Sequence, residues 1–398
     1  MDTESHPPAR PLPARALPGR PPSGGASALR PAVTELRLSA FGPHRGRTLP
    51  LAALTLLTGP SGCGKSSALS AYEALARLAS GDRLRRAFPD PGRCVPERAD
   101  ADAQGRRGFR IGCTADGPAG PVRLDLAVQA EPELRIVGER LTCGGRTLLA
   151  TALRDPRRPS VEAAWHTAGS ARMTRAPLPD DRLGTALLPL RVAGRTEGQL
   201  RVLAAAEQTV VALRSAFCCD PQPPGMRGPV PLEDGLLRRG CDNLAEVLHR
   251  TRAQCTGRHA RLAAAARAGC AGDVVDLAVE ELADGTVRAL LARGGRRGPT
   301  PLGRLGDGEL RYLALALVLL TGPGVLAMDQ PAEVPAACQS LTVLADGFDR
   351  CLDPRQAREL VSLAAEMAGR GRVRLAGAVA DASFARGVAG VTVVDLVS

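Results

Sequence analysis

The sequence predicts an α/β fold in two lobes, with an antiparallel β subdomain and a helical insert. Three observations carry that reading. A short apolar run at 54–58 feeds a glycine-rich loop, Gly59-Pro60-Ser61-Gly62-Cys63-Gly64-Lys65-Ser66, and helix-compatible sequence follows it. Segments with strand-like alternation recur on both sides of that unit. An apolar stretch from 310 to 328 is interrupted by Thr321-Gly322-Pro323-Gly324, which divides it into a buried helix and a core strand.

Taken in order, residues 1–32 are rich in Pro, Arg, Gly and Ser, lack periodicity, and are expected to be disordered. Residues 33–38 alternate as a strand, 42–46 turn, and 47–51 return. Beyond the glycine loop, Ala68, Leu69, Tyr72, Leu75 and Leu78 recur at helical spacing, which predicts a helix over 65–78. Residues 81–108 read as loop. Residues 109–113, 122–128 and 133–137 read as a small antiparallel sheet, continued by 138–141. Residues 150–176 are polar and basic with little sign of order.

Helices are expected at 199–217 and 243–268. A hairpin is expected at 274–279 and 286–291 across Asp284-Gly285. The C-terminal part predicts a buried helix at 310–320, a buried strand at 325–328, an amphipathic helix at 354–367 and a core strand at 373–379. The expected division is a tail over 1–32, a lobe with the glycine loop and β subdomain over 33–150, a mainly helical insert over 151–268, and a second lobe over 269–398.

Lys65 is the only lysine among 52 basic side chains. Lysine is a compact charge on a slim stem, whereas arginine is a wide planar fork. A chain that uses arginine everywhere else keeps an ammonium where a phosphate-binding loop requires one. The pattern G-x-x-x-x-G-K-S between a strand and a helix is the P-loop, or Walker A motif, whose amides and lysine hold nucleotide phosphates. Phosphate-binding candidates are therefore Gly59, Pro60, Ser61, Gly62, Cys63, Gly64, Lys65, Ser66 and Ser67. The Ser66 hydroxyl is a candidate Mg²⁺ ligand. A guanine-reading N/T-K-x-D motif needs a second lysine, so the nucleotide is expected to be ATP.

Composition narrows the classes further. Heavy use of Arg, Ala, Gly and Pro matches a GC-rich bacterial genome. The eleven cysteines are scattered without C-x-x-C pairs, which argues against a zinc site or a disulfide framework. No signal peptide and no membrane span are read, so a cytoplasmic protein is expected. The net charge of +11 raises DNA as a candidate partner, through arginines at 250–267, but aromatic residues for base stacking are scarce. His44, His166, His249 and His259 assemble no nucleophile-base set.

Two further motifs follow the glycine loop. Leu305-Gly306-Asp307-Gly308-Glu309 stands before the buried helix, with Gly306 and Gly308 able to present amides to a γ-phosphate. Val325-Leu326-Ala327-Met328-Asp329 reads as a Walker B strand whose Asp329 would hold Mg²⁺. With Gly240-Cys241-Asp242-Asn243-Leu244 and the run 306–315, the chain from residue 33 onward resembles the RecF- and SMC-related ABC-type predicted ATPases of bacteria, labelled AAA-family ATPases. The resemblance implies a head that closes as a homodimer around two ATP molecules, each between the P-loop of one subunit and the signature of the other. It also implies DNA maintenance or phage defence as the biological setting, with an unidentified protein partner.

Departures from the family pattern fall on hydrolysis. The family has Asp-Glu-Pro where this chain has Asp329-Gln330-Pro331, and glutamine accepts no proton from an attacking water, although it can orient one. Gly306 replaces the signature serine. Val379-Ala380-Asp381 replaces the family's histidine segment. Glu333 is a candidate substitute base. Expected catalytic residues are thus Lys65, Asp329 and Gln330, with hydrolysis slow. The alternative is a pseudo-ATPase in which ATP is a structural or regulatory ligand.

Overall fold

The computed structural model describes residues 30–168, 172–295, 298–328 and 339–397. The expected tail falls outside these residues up to position 29, and the first described element is β1 (Ala32–Phe41). A tight turn at Gly42 sends the chain back as β2 (His44–Pro50), and β3 (Leu54–Thr58) leads into the glycine loop. Helix α1 (Lys65–Ala79) follows, buried along Ala68, Leu69, Tyr72, Leu75 and Leu78 as the spacing predicts, and a short α2 (Leu84–Ala87) packs beside it.

Strands β4 (Arg107–Asp116), β5 (Val122–Glu131), β6 (Arg135–Cys143), β7 (Arg146–Ala152), β8 (Ser160–Ala168) and β9 (Arg172–Pro179) come next. They join β1 and β2 in an eight-stranded antiparallel sheet of order β2-β1-β4-β5-β6-β7-β8-β9. The expected boundary at 150 is corrected here, because the sheet runs on to Pro179. The polar stretch after residue 150 pairs as a hairpin, Val161 opposite Leu178 and Trp165 opposite Thr174. Its inward residues, Val161, Ala163 and Trp165, are buried, while Glu162 and Ala164 between them are not, a period-2 pattern that the polar composition of the stretch hides.

After the short α3 (Gly184–Leu187) comes α4 (Glu197–Arg214), with the Thr196 hydroxyl capping Gln199. The helix expected to reach 217 stops at Arg214, and β10 (Ala216–Cys219) takes over. A two-residue β11 (Val230–Pro231) precedes α5 (Leu244–Gln254) and α6 (Thr256–Gly269), two helices where one was expected, broken at the extended Cys255. The expected hairpin is present as β12 (Val274–Glu281) and β13 (Thr286–Arg293), with β14 (Thr300–Pro301) beside it.

Helix α7 (Asp307–Leu320) is buried on every face from Leu310 onward. The expected strand at 325–328 is not formed. Pro323–Val325 is a 3₁₀ turn, and Leu326 makes a single bridge to Leu237. The strand at this level of the fold is β15 (Leu341–Ala345), followed by α8 (Pro354–Gly369), β16 (Val373–Ala378) and β17 (Val391–Asp395). Together with β3 and β10 they form a parallel sheet of order β10-β15-β16-β3-β17.

Two cores result. One lies between the antiparallel sheet and helices α1 and α4, built on Leu38, Tyr72, Leu75, Phe109 and Leu213. The other lies between the parallel sheet and α5 to α8, built on Leu56, Val343, Leu317, Phe348 and Leu360. Helix α1 packs against both sheets, so the glycine loop sits at the C-terminal edge of β3 where the two cores meet.

Candidate functional site: the glycine loop and its carboxylate

The loop between β3 and α1 is shaped by its glycines. Gly64 occupies the N-cap position of α1 in the left-handed region, at φ 98°. A Cβ there would collide with the His44 ring and Pro43, so the turn of the β1–β2 hairpin closes one wall of the loop only because residue 64 lacks a side chain. The first turn of α1 has no acidic residue. Its free amides and dipole therefore favour an anion.

Lys65 is the first residue of α1. Its ammonium donates to the carbonyls of Gly59 at 2.5 Å and Pro60 at 3.0 Å, so it arches back over the loop rather than out to solvent. A cleft of about 590 Å³ opens beside it, lined by Ser61, Gly62, Gly64, Lys65, Ser66 and Ser67 on one side and by Arg93, Pro96 and Glu97 on the other. That volume is in the range of small-molecule sites.

His44 is buried, and its Nε2 lies 3.0 Å from the Gly64 carbonyl. Burial lowers its pKa from the ordinary 6.5, against the pull of that carbonyl, and Arg47 lowers it further. A depressed histidine pKa adds stability that is present above 6.5 and lost as pH falls through the folded value. We therefore expect melting temperature to fall as pH drops below 6.5, and His44→Gln to flatten that slope in thermal unfolding.

Ser66 points to a carboxylate the sequence reading missed. Its hydroxyl donates to Asp346 Oδ1 at 3.0 Å, across 280 residues of chain. Asp346 is exposed and directly follows β15, whose five residues are all buried. A hydroxyl and a carboxylate converging beside a helix N-terminus make an oxygen donor set that fits a hard divalent cation such as Mg²⁺.

Asp329, Gln330 and Glu333 lie outside the described residues. Met328, just before them, lines a different cleft with Ala76 and Ser80 at the far end of α1. Ser66 is in the first turn of that helix, about 15–20 Å away along its axis.

Gly306 caps α7 and is exposed, with its amide donating to Glu309 Oε2 at 3.2 Å. Gly308 is required by packing, since a Cβ on it would collide with the Cys351 carbonyl. Neither glycine lines the cleft beside Lys65. Glu139, on β6, is buried and accepts from the amides of Gly184 and Thr185, both at 2.6 Å, which makes it the clamp of the α3 turn. Gln129 binds the Glu133 carbonyl and Gln104 stands in a loop organised by Asp102, so neither reaches the cleft.

Of the five arginines in 250–267, three are committed within the protein. Arg250 donates to the carbonyls of Asp234 and Gly235, Arg261 pairs with Glu366, and Arg267 donates to the Val275 carbonyl. The described cysteines are free thiols. No cluster of metal-ligating side chains is found among the described residues, and none of their helices is long and apolar enough to cross a membrane.

The fold is mixed α/β, with a glycine-loop helix held between an antiparallel and a parallel sheet, which is the layout of a P-loop NTPase. No protein-family model matches the chain, and no curated protein matches it. Among solved structures it is similar to a Smc head bound to the C-winged helix domain of ScpA, at 11% identity over 88% of this chain and 90% of that one, with a TM-score of 0.46. It is also similar to the SMC head domain from Thermotoga maritima, at 12% identity over 91% and 94% with a TM-score of 0.43. The recombination mediator protein RecF of the RecFOR pathway is similar at 12% identity over 93% and 98%, with a TM-score of 0.37. The class itself stands on this chain's own sheet order and loop geometry.

Proposed function

We propose that this chain binds Mg-ATP at the Gly59–Ser67 loop and uses it to close a homodimer, with hydrolysis slow. The observation that carries the reading is the pairing of Ser66 with Asp346 at the N-terminus of α1, next to the lone lysine. Lys65 and the loop amides would hold the β- and γ-phosphates. Ser66 and Asp346 would hold Mg²⁺, with Asp346 in the role assigned to Asp329 on sequence alone. The cation would supply charge neutralisation at the phosphates. Gly306, exposed at the start of α7, would offer its turn to the nucleotide of a second subunit.

Slow turnover follows from the residue after Asp346. It is Gly347, which has no side chain to take a proton from water. Asp349 is nearby in sequence, but its carboxylate accepts from the amides of Ala380 at 2.8 Å and Asp381 at 3.3 Å. The same observation favours the second reading, in which ATP is a structural or regulatory ligand of a pseudo-ATPase. DNA as a partner has less support, given how many arginines of α5 and α6 are already bonded internally.

The test measures mass by light scattering with and without Mg-ATP on the full chain, alongside phosphate release. The proposal expects a nucleotide-dependent dimer with little phosphate released. A monomer at saturating Mg-ATP would refute dimer closure, and a fast phosphate release would refute slow hydrolysis.

A further inference from the structure

The helix that begins at Gly306 and the turn that carries Asp346 are joined by two contacts. The first is the docking of Gly308 on the Cys351 carbonyl. Cys351 is held in the left-handed region at φ 64°, a conformation a non-glycine residue keeps only under constraint from its surroundings. The second contact is Arg311. This side chain is buried, only 2% exposed. It reaches from α7 to donate to the Gly347 carbonyl at 2.9 Å and the Pro221 carbonyl at 2.5 Å. Its counter-ion is Asp220, 3.5 Å away and shared with Arg350 at 2.5 Å. Gly347 directly follows Asp346, so the guanidinium grips the backbone one peptide from the carboxylate that meets Ser66.

We propose that Arg311 is a positioning residue that sets Asp346 for the cation, so that engagement at the start of α7 is transmitted to the magnesium side of the glycine loop. This rests on the reading of the loop as a Mg-ATP site given above. A buried guanidinium with two carbonyls fixed in its fork has few alternative positions. Movement of α7 therefore shifts the 346–351 turn with it. Lys65 bonds to the carbonyls of its own loop and makes no bond to Arg311, so phosphate contact alone is independent of this link.

The test measures affinity for a fluorescent ATP analogue, once in Mg²⁺ and once in EDTA, for the wild type, Arg311→Met, Arg311→Lys and Asp346→Asn. Wild type is expected to gain affinity in Mg²⁺, and Asp346→Asn to lose that gain. Arg311→Met is expected to lose about tenfold of the gain while matching the wild type in EDTA. Arg311→Lys, whose ammonium spans one carbonyl rather than two, is expected to fall between them. If Arg311→Met does not fold, the lysine variant carries the comparison. A full Mg²⁺ gain in the Arg311 variants, or an equal loss in Mg²⁺ and EDTA, overturns the proposal. A wild type with no Mg²⁺ gain instead removes the underlying reading of the site.

Discussion

Lys65→Ala is expected to weaken Mg-ATP binding by about a hundredfold, because two or more charge-assisted bonds to phosphate are lost together. The ammonium is already arched over the loop, bonded to the Gly59 and Pro60 carbonyls. Little reorganisation is then needed to meet a phosphate, and little binding is lost to ordering the side chain. The loop itself is shaped by glycine backbone and by the wall of His44 and Pro43, so the alanine variant should keep the wild-type melting temperature without nucleotide. Lys65→Arg should not restore binding, since a planar fork is too wide for the space between backbone amides. Competition against a fluorescent ATP analogue checks all three outcomes. An alanine variant that binds as tightly as wild type removes Lys65 from the site.

Asp346→Asn is expected to abolish the magnesium dependence of nucleotide affinity, whereas Asp329→Asn is expected to leave it intact. The side chain of asparagine keeps the shape of aspartate and its bond to the Ser66 hydroxyl, but it brings no charge to a divalent cation. The comparison separates the two aspartates directly. Asp346 is bonded to Ser66, and Met328, the neighbour of Asp329, lines a cleft at the opposite end of α1. A magnesium titration at fixed nucleotide reads the difference. If Asp329→Asn carries the loss and Asp346→Asn does not, the assignment made from geometry is wrong.

The contrast between these two aspartates shows how far the sequence could be read. The P-loop was legible because strand, glycine pattern, lone lysine and helical spacing all converge within about twenty-five residues. The core helix α7 and the amphipathic α8 were legible from their apolar content and spacing. The strand expected at 325–328 was not, because two apolar runs compete to be the core strand after α7. Residues 325–328 come first and are followed by Asp329-Gln330-Pro331, which differs from the family's Asp-Glu-Pro at one position. Yet Gly322, Pro323 and Gly324 crowd their start and give a 3₁₀ turn. Leu341–Ala345, with β-branched Thr342 and Val343, is the better strand and ends in Asp346-Gly347. That preference was present in the sequence and could have been weighed.

Other features were not available to local reading at all. The Arg311 grip on Gly347 spans 36 residues, and the Ser66 bond to Asp346 spans 280. The β8–β9 hairpin was hidden because its outward positions mix charged Glu162 and Arg175 with Ala164, Met173 and Pro177, which blurs the alternation of Val161, Ala163 and Trp165. The bonds by which the buried Glu139 holds the turn at Gly184 and Thr185 span 45 and 46 residues.

Titration calorimetry of the full chain with Mg-ATP tests the central claim most directly. A saturable heat with one site per chain, absent in Lys65→Ala, is the predicted result. No heat with magnesium and either ATP or GTP would contradict the whole account of the glycine loop.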